Sequence, residues 1–141
     1  VDNESFYDTK KHPMTCPCDP NNTYENCCSI AHKNIKAVKT AHQLMRSRYS
    51  AFVMGNIDYL QRSHHSTQRP SRKEALEIEQ WSKTVKWLEL EIVQTTLGVE
   101  KDFMGTVEFK AFYIENNQEE VLHEHSRFCK ENGHWVYVDA I

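Results

Sequence analysis

The sequence predicts an α+β fold, helices first and an antiparallel sheet after them, with a small cysteine-rich unit in front. Three observations predict it. Between Ala41 and Val53, apolar residues recur at three- and four-residue steps, the period of a helix. From Val85 onward the period switches to two, as in strands with one covered face. Ahead of both, four cysteines fall within residues 16–28, as Cys16-Pro-Cys18 and Cys27-Cys28.

The bulk numbers bound the answer. A chain of 141 residues has room for one ordinary domain and a small appendage. With 39% hydrophobic, 11% aromatic and 26% charged residues it is globular rather than disordered. A net charge of −3 argues against a nucleic-acid partner. No apolar run approaches the ~20 residues of a membrane span. The opening Val-Asp-Asn-Glu-Ser-Phe-Tyr-Asp lacks the apolar region of a signal peptide, so the expectation is a cytoplasmic protein.

Residues 1–14 are polar and aperiodic, and read as a flexible arm. Residues 15–32 form the cysteine unit, and residues 33–141 the α+β domain. Thr40-Ala41-His42-Gln43 reads as a capping box that starts the first long helix, and Gly55 stops it. Its stripe of Ala41, Leu44, Met45, Tyr49, Phe52 and Val53 needs a sheet or another helix to cover it. Asn56 caps a short second helix. Ser71-Arg72-Lys73-Glu74 is another capping box, starting a helix with Ile78 and Trp81 inward. Strands are expected over 87–97, 104–115, 119–130 and 134–140. Asn132-Gly133 signals a two-residue hairpin turn, and Asn116-Asn117 a weaker one.

Those turns fix the faces. A two-residue loop at Asn132-Gly133 pairs Phe128 with Tyr137 and Ser126 with Asp139. One face then carries Leu122, Glu124, Ser126, Phe128, Trp135, Tyr137 and Asp139. The same logic at Asn116-Asn117 adds Val107, Phe109, Ala111 and Tyr113. This more apolar face is the one the helices should cover. The opposite face, with Glu108, Lys110, His123, His125 and Arg127, suits solvent or a second subunit in a homodimer.

Two short cysteine pairs joined by a polar loop supply the four soft thiolates of a closed tetrahedral zinc site. A metal would let so small a unit fold without a core of its own. The competing reading is two disulfides in a secreted protein, for which adjacent Cys27 and Cys28 would need divergent bridges. His32, four residues after Cys28, is an alternative fourth ligand. The fifth cysteine, Cys129, reads as a small apolar strand residue.

The run CPCDPNNTYENCC resembles the SEC-C motif, named for the metal-binding tail of the translocation ATPase SecA. The stretches AHQLMRSRYSAFVMGNIDYL, GTVEFKAFY and LHEHSRFCKENGHWVYVD resemble the YchJ-like proteins, which join a SEC-C motif to a domain of nuclear-transport-factor-2-like fold. The resemblance implies a cone-shaped α+β domain and places the zinc ligands on Cys16, Cys18, Cys27 and Cys28. The SecA motif docks the chaperone SecB through a loop rich in Gly, Ser and Lys. The loop here has neither Gly nor Lys and carries two acids, so a protein partner would need other chemistry.

Within the cone, Arg48, Tyr49, Glu124, Ser126, Tyr137 and Asp139 are the candidate pocket residues. Glu124 or Asp139 would serve as a general base of an isomerase or dehydratase, with Tyr49 or Tyr137 donating to an oxyanion. The plainer reading is a buried Arg48–Glu124 pair with hydrogen-bonded tyrosines, in a protein that binds a small ligand or partner without chemistry.

Overall fold

The computed structural model describes residues 14–141, so the expected arm lies, but for Met14, outside the described residues. The chain opens with a hairpin of β1 (Thr15–Cys16) and β2 (Asp19–Thr23), followed by α1 (Cys28–Lys33) and a 3-10 turn at Ile35–Ala37. Then come α2 (Ala41–Met54), α3 (Ile57–Arg62) and α4 (Arg72–Thr84). Four antiparallel strands finish the chain: β3 (Lys86–Leu97), β4 (Met104–Glu115), β5 (Gln118–Glu131) and β6 (His134–Ala140), paired in that order. The expected helices-then-meander order holds. β2 takes up part of the polar loop that sequence predicted between the cysteine pairs, and α1 follows it.

Local chemistry sets the helix ends. Ser71 and Glu74 form the full reciprocal capping box at α4. At α2, Thr40 Oγ1 accepts from Gln43 N, but the Gln43 side chain reaches past Thr40 to accept from Lys39 N at 2.7 Å. Gly55 ends α2 in the left-handed region, with φ 68. Both hairpin turns have two positive-φ residues, Asn116-Asn117 and Asn132-Gly133, as type I′ geometry requires.

The strands curl around α2. Bulges in β3, between Trp87 and Glu89 and between Ile92 and Gln94, bend it. Val107, Phe109 and Ala111 of β4 face Ser126, Glu124 and Leu122 of β5 across the covered face, in the register the Asn116-Asn117 turn predicts. Where β3 ends and β4 begins, Gly98 and Gly105 touch backbone to backbone. A Cβ on Gly105 would lie 2.5 Å from Gly98 Cα, and Gly98 O receives Ala41 N at the start of α2.

Asp139 departs from expectation. Phe128 pairs with Tyr137, but Arg127 pairs with Asp139 and Ser126 with Ala140, so Val138 is an extra residue. This bulge turns Asp139 to the outward face, where Arg127 grips it. The free edge of β6 explains the slip: Tyr137 N donates to Ser63 O, and His65 N donates to Tyr137 O. Bonding to that loop competes with regular pairing to β5.

α2 is buried on nearly every side, which makes it a central helix rather than a surface amphipathic one. Its core neighbours include Tyr59, Val107, Phe128 and Trp135, all fully buried. Among the described residues, no helix is long and apolar enough to cross a membrane.

Candidate functional site

The four cysteine sulfurs converge. All lie within 4.8 Å of one another, and the sulfurs of Cys16, Cys27 and Cys28 stand 3.7, 3.5 and 3.6 Å from that of Cys18. A tetrahedron built on Zn–S bonds of about 2.3 Å has edges of about 3.8 Å, so the donor set fits such an ion with little adjustment. The separations far exceed the ~2.05 Å of a sulfur–sulfur bond. Cys16, Cys18 and Cys28 are buried and Cys27 half-buried.

Donation from Cys28, reinforced by Cys27, Arg46 and Cys16, holds the Cys18 thiol down to about 5 against the upward push of burial. Burial and the Cys18 thiolate push Cys27 up to about 12. Hydrogen bonding to Cys18 and then burial push Cys28 higher still. A cation is what this cluster needs to ionise further.

α2 supplies the shell around the sulfurs. Ser50 Oγ donates to Cys28 Sγ at 3.1 Å and lies 3.5 Å from Cys16 Sγ. Arg46 Nη1 donates to Cys18 O at 2.9 Å. His32 is not a ligand here. Its Nε2 donates to Ser47 O at 2.8 Å, which leaves Nδ1 to accept from Tyr24 Oη at 2.7 Å. Burial, then the Arg62 charge, lowers its pKa and keeps that ring neutral.

On another side of α2 lies a cavity of about 240 Å³ between α2, α3, α4 and the sheet. Its walls are mostly apolar, with Met45, Phe52, Leu60, Ile78, Phe109 and Leu122 among them. Its polar groups are Arg48, Gln61, His64, Glu124, Ser126 and Tyr137. Glu124 Oε2 accepts from Ser126 Oγ at 2.6 Å and from Tyr137 Oη at 3.0 Å. The Tyr137 ring lies 4.8 Å from the Arg48 guanidinium carbon. Burial lowers the Arg48 pKa to about 10, still well above neutrality. His64 stands edge-on to Tyr137 at 5.0 Å, and burial, then Arg48, brings it down to about 4.

The family model described as YchJ, middle NTF2-like domain, matches residues 40–140. The chain belongs to the YchJ family. It is 44% identical over 131 residues to a UPF0225 protein of Vibrio parahaemolyticus, covering 89% of this chain and 74% of that one. A UPF0225 protein of Streptomyces coelicolor is 42% identical over 125 residues, covering 89% and 93%. Two solved SEC-C motif containing proteins share the architecture. The one from Rhodopseudomonas palustris has a TM-score of 0.73 and 29% identity, covering 91% of this chain and 98% of that one. The one from Psychrobacter arcticus has 0.74 and 30%, covering 89% and 81%. The cluster of four cysteines in this YchJ-family chain is thus a SEC-C motif able to hold a metal ion.

Of the six pocket candidates, Arg48, Glu124, Ser126 and Tyr137 line the cavity. The expected Arg48–Glu124 ion pair is replaced by a relay: Tyr137 covers Arg48 with its ring and donates its hydroxyl to Glu124. Tyr49 is elsewhere. One residue on from Arg48 turns it about 100° around the helix, onto Trp87 at 5.8 Å. Burial, then Glu89, pushes that phenol up to about 12. Asp139 is on the outer face, as described above. His64, which the sequence analysis did not single out, is carried into the wall by the bonds of its neighbours to β6. No local signal marks it.

Proposed function

We propose that this YchJ-family chain is a cytoplasmic small-molecule-binding protein in which a structural zinc ion, held by Cys16, Cys18, Cys27 and Cys28, pins the SEC-C unit onto α2. Four thiolates fill a tetrahedral ion and leave it no open position, so its contribution is to the fold rather than to catalysis. A reducing compartment keeps such thiolates available to metal. The observation that carries the ligand-binding reading is the apolar cavity with a buried arginine in its wall. An adaptor role for the SEC-C unit, docking a protein partner, has weaker support, because three of its four cysteines are buried.

The test is direct. Elemental analysis of the purified chain should give one zinc per molecule. Small apolar fragments should shift the amide resonances of Phe109 and Leu122, and Leu122→Trp should abolish those shifts. A protein that binds no fragment at those strands would sink the ligand half, and one that holds no metal when reduced would sink the zinc half.

A second reading, an isomerase or dehydratase, is favoured by Glu124. Both of its side-chain hydrogen bonds go to Oε2, so Oε1 remains for a substrate proton in the cavity that the uncharged His64 also lines. Turnover of a bound molecule that is lost in Glu124→Gln while binding is kept would mark that reading.

A further inference from the structure

We infer that the cavity selects a compact apolar monocarboxylic acid, its carboxylate gripped by the Nε–Nη2 edge of Arg48. This rests on the ligand-binding reading above and names the ligand class.

Arg48 is only 6% exposed. All its hydrogen bonds run through Nη1, to Leu60 O at 2.9 Å and Ser63 Oγ at 2.7 Å. Both acceptors are neutral. Tyr137 covers one face of the guanidinium at 4.8 Å, and Phe52 lies at 6.0 Å. Nε and Nη2 meet no acceptor among the described residues. Yet no buried side-chain nitrogen or oxygen there lacks a partner, so these two nitrogens keep access to open space. The open space that Arg48 lines is the cavity.

The same chain shows what this edge does when filled. Arg127 holds Asp139 through Nε at 2.7 Å and Nη2 at 2.6 Å, the planar fork that matches a carboxylate. Arg48 offers that fork with no protein carboxylate in it. A buried cation whose hydrogen-bond acceptors are all neutral is costly to desolvate; the Glu124 charge supports it only across space, and a ligand anion in the fork offsets the rest.

The rest of the wall narrows the choice. Glu124 lines the same cavity and repels a second negative charge, which disfavours phosphates and dicarboxylates. Met45, Leu60, Phe109 and Leu122 demand an apolar body. A cavity of about 150 Å³ accommodates benzene. A volume of about 240 Å³ therefore admits one ring with a short acid-bearing arm.

The experiment is a calorimetric titration of the intact, zinc-loaded chain with 3-phenylpropanoate, 3-phenylpropanamide, protonated 3-phenylpropylamine and phenylsuccinate, with amide resonances followed in parallel. The monocarboxylate should bind about tenfold or more tighter than the amide, as a charge-assisted two-pronged contact requires, with the diacid weaker and the amine weakest. Arg48→Lys keeps the charge but not the fork, and should weaken the acid about tenfold while changing the amide little. Equal affinity for acid and amide, or a preference for the amine, overturns the carboxylate inference and leaves the ligand-binding reading standing. No binding by any of the four overturns that reading as well. Acid binding that survives Leu122→Trp overturns the placement. Should Arg48→Lys fail to fold, the ranking of the four probes on the unaltered chain decides alone.

Discussion

Two faces of α2 carry polar side chains into the interior, and they are finished differently. Toward the SEC-C unit, Arg46, Ser47 and Ser50 meet partners supplied by the chain: Cys18 O, Tyr59 Oη and Cys28 Sγ. Toward the cavity, Arg48 uses one nitrogen of three, and the His64 ring makes no hydrogen bond among the described residues. The first face is a closed network around a candidate metal, and closed networks hold a fold together. The second leaves donors open in an apolar wall, which costs stability unless something outside the chain completes it. One helix thus separates the cysteine cluster from the cavity, its successive residues turning by about 100°.

The comparison breaks most visibly at the sulfurs. Cys18→Ser should abolish zinc binding and destabilise the chain by about 4 kcal/mol or more, the range that loss of a metal occupies among single substitutions. Urea unfolding with and without a chelator measures it. If chelation leaves the wild-type midpoint unchanged, the SEC-C face is not held by metal.

On the cavity side, His64 makes stability depend on pH. Its folded pKa is about 4 against an ordinary 6.5. Above about pH 6.5 both folded and unfolded chains hold the ring neutral. As pH falls below that, the unfolded chain takes up a proton that the folded one refuses, so stability drops and levels off below about 4. With the ring half exposed, the loss should be about 1–2 kcal/mol after allowance for screening. His64→Phe should lose that much less between pH 7 and pH 4. Proton competition for the thiolates acts on both proteins alike, so the difference isolates His64. Parallel curves would place the ring in solvent.

How much of this was legible in the sequence divides along similar lines. α2 and α4, with their caps, were readable because a helix is specified by neighbours three and four residues away. Glu124 and Ser126 reached the covered face because a two-residue turn at Asn116-Asn117 fixes the β4–β5 register. The convergence of Cys16, Cys18, Cys27 and Cys28 followed from ligand chemistry and spacing. What escaped was non-local. Asp139 was misplaced because β6 bonds sideways to residues 63 and 65, a contact no turn signal announces. His64 escaped through the same contact. The shell of Ser47, Ser50 and His32 depends on the SEC-C unit packing onto α2, which the sequence presented as a separate module.

A smaller change probes the closed network. Ser50→Ala removes the hydroxyl 3.1 Å from Cys28 Sγ without touching a ligand. Groups that orient metal ligands are typically worth about 10–100-fold in metal affinity. Stability of the metal-free chain should fall by only about 1 kcal/mol, the net worth of one hydrogen bond. Competition with a chromogenic chelator reads the affinity. An unchanged zinc affinity would make Ser50 mere packing.

The smallest expected effect on stability is the most diagnostic. Arg48→Met deletes a buried charge together with its bonds to Leu60 O and Ser63 Oγ. Ser63 Oγ also donates to Tyr59 O at 2.7 Å and Leu60 O at 3.4 Å, so the freed acceptors are partly supplied. Loss of those bonds and relief of a buried cation with no carboxylate hydrogen-bonded to it oppose each other, and apolar replacements of buried charges are often close to neutral. Stability should therefore change by no more than about 1 kcal/mol, with either sign, while carboxylate binding disappears. A structural arginine behaves oppositely, since its removal from a completed network destabilises by about 3–5 kcal/mol. A loss of that size in Arg48→Met would move Arg48 to the same class as Arg46 and erase the distinction between the two faces.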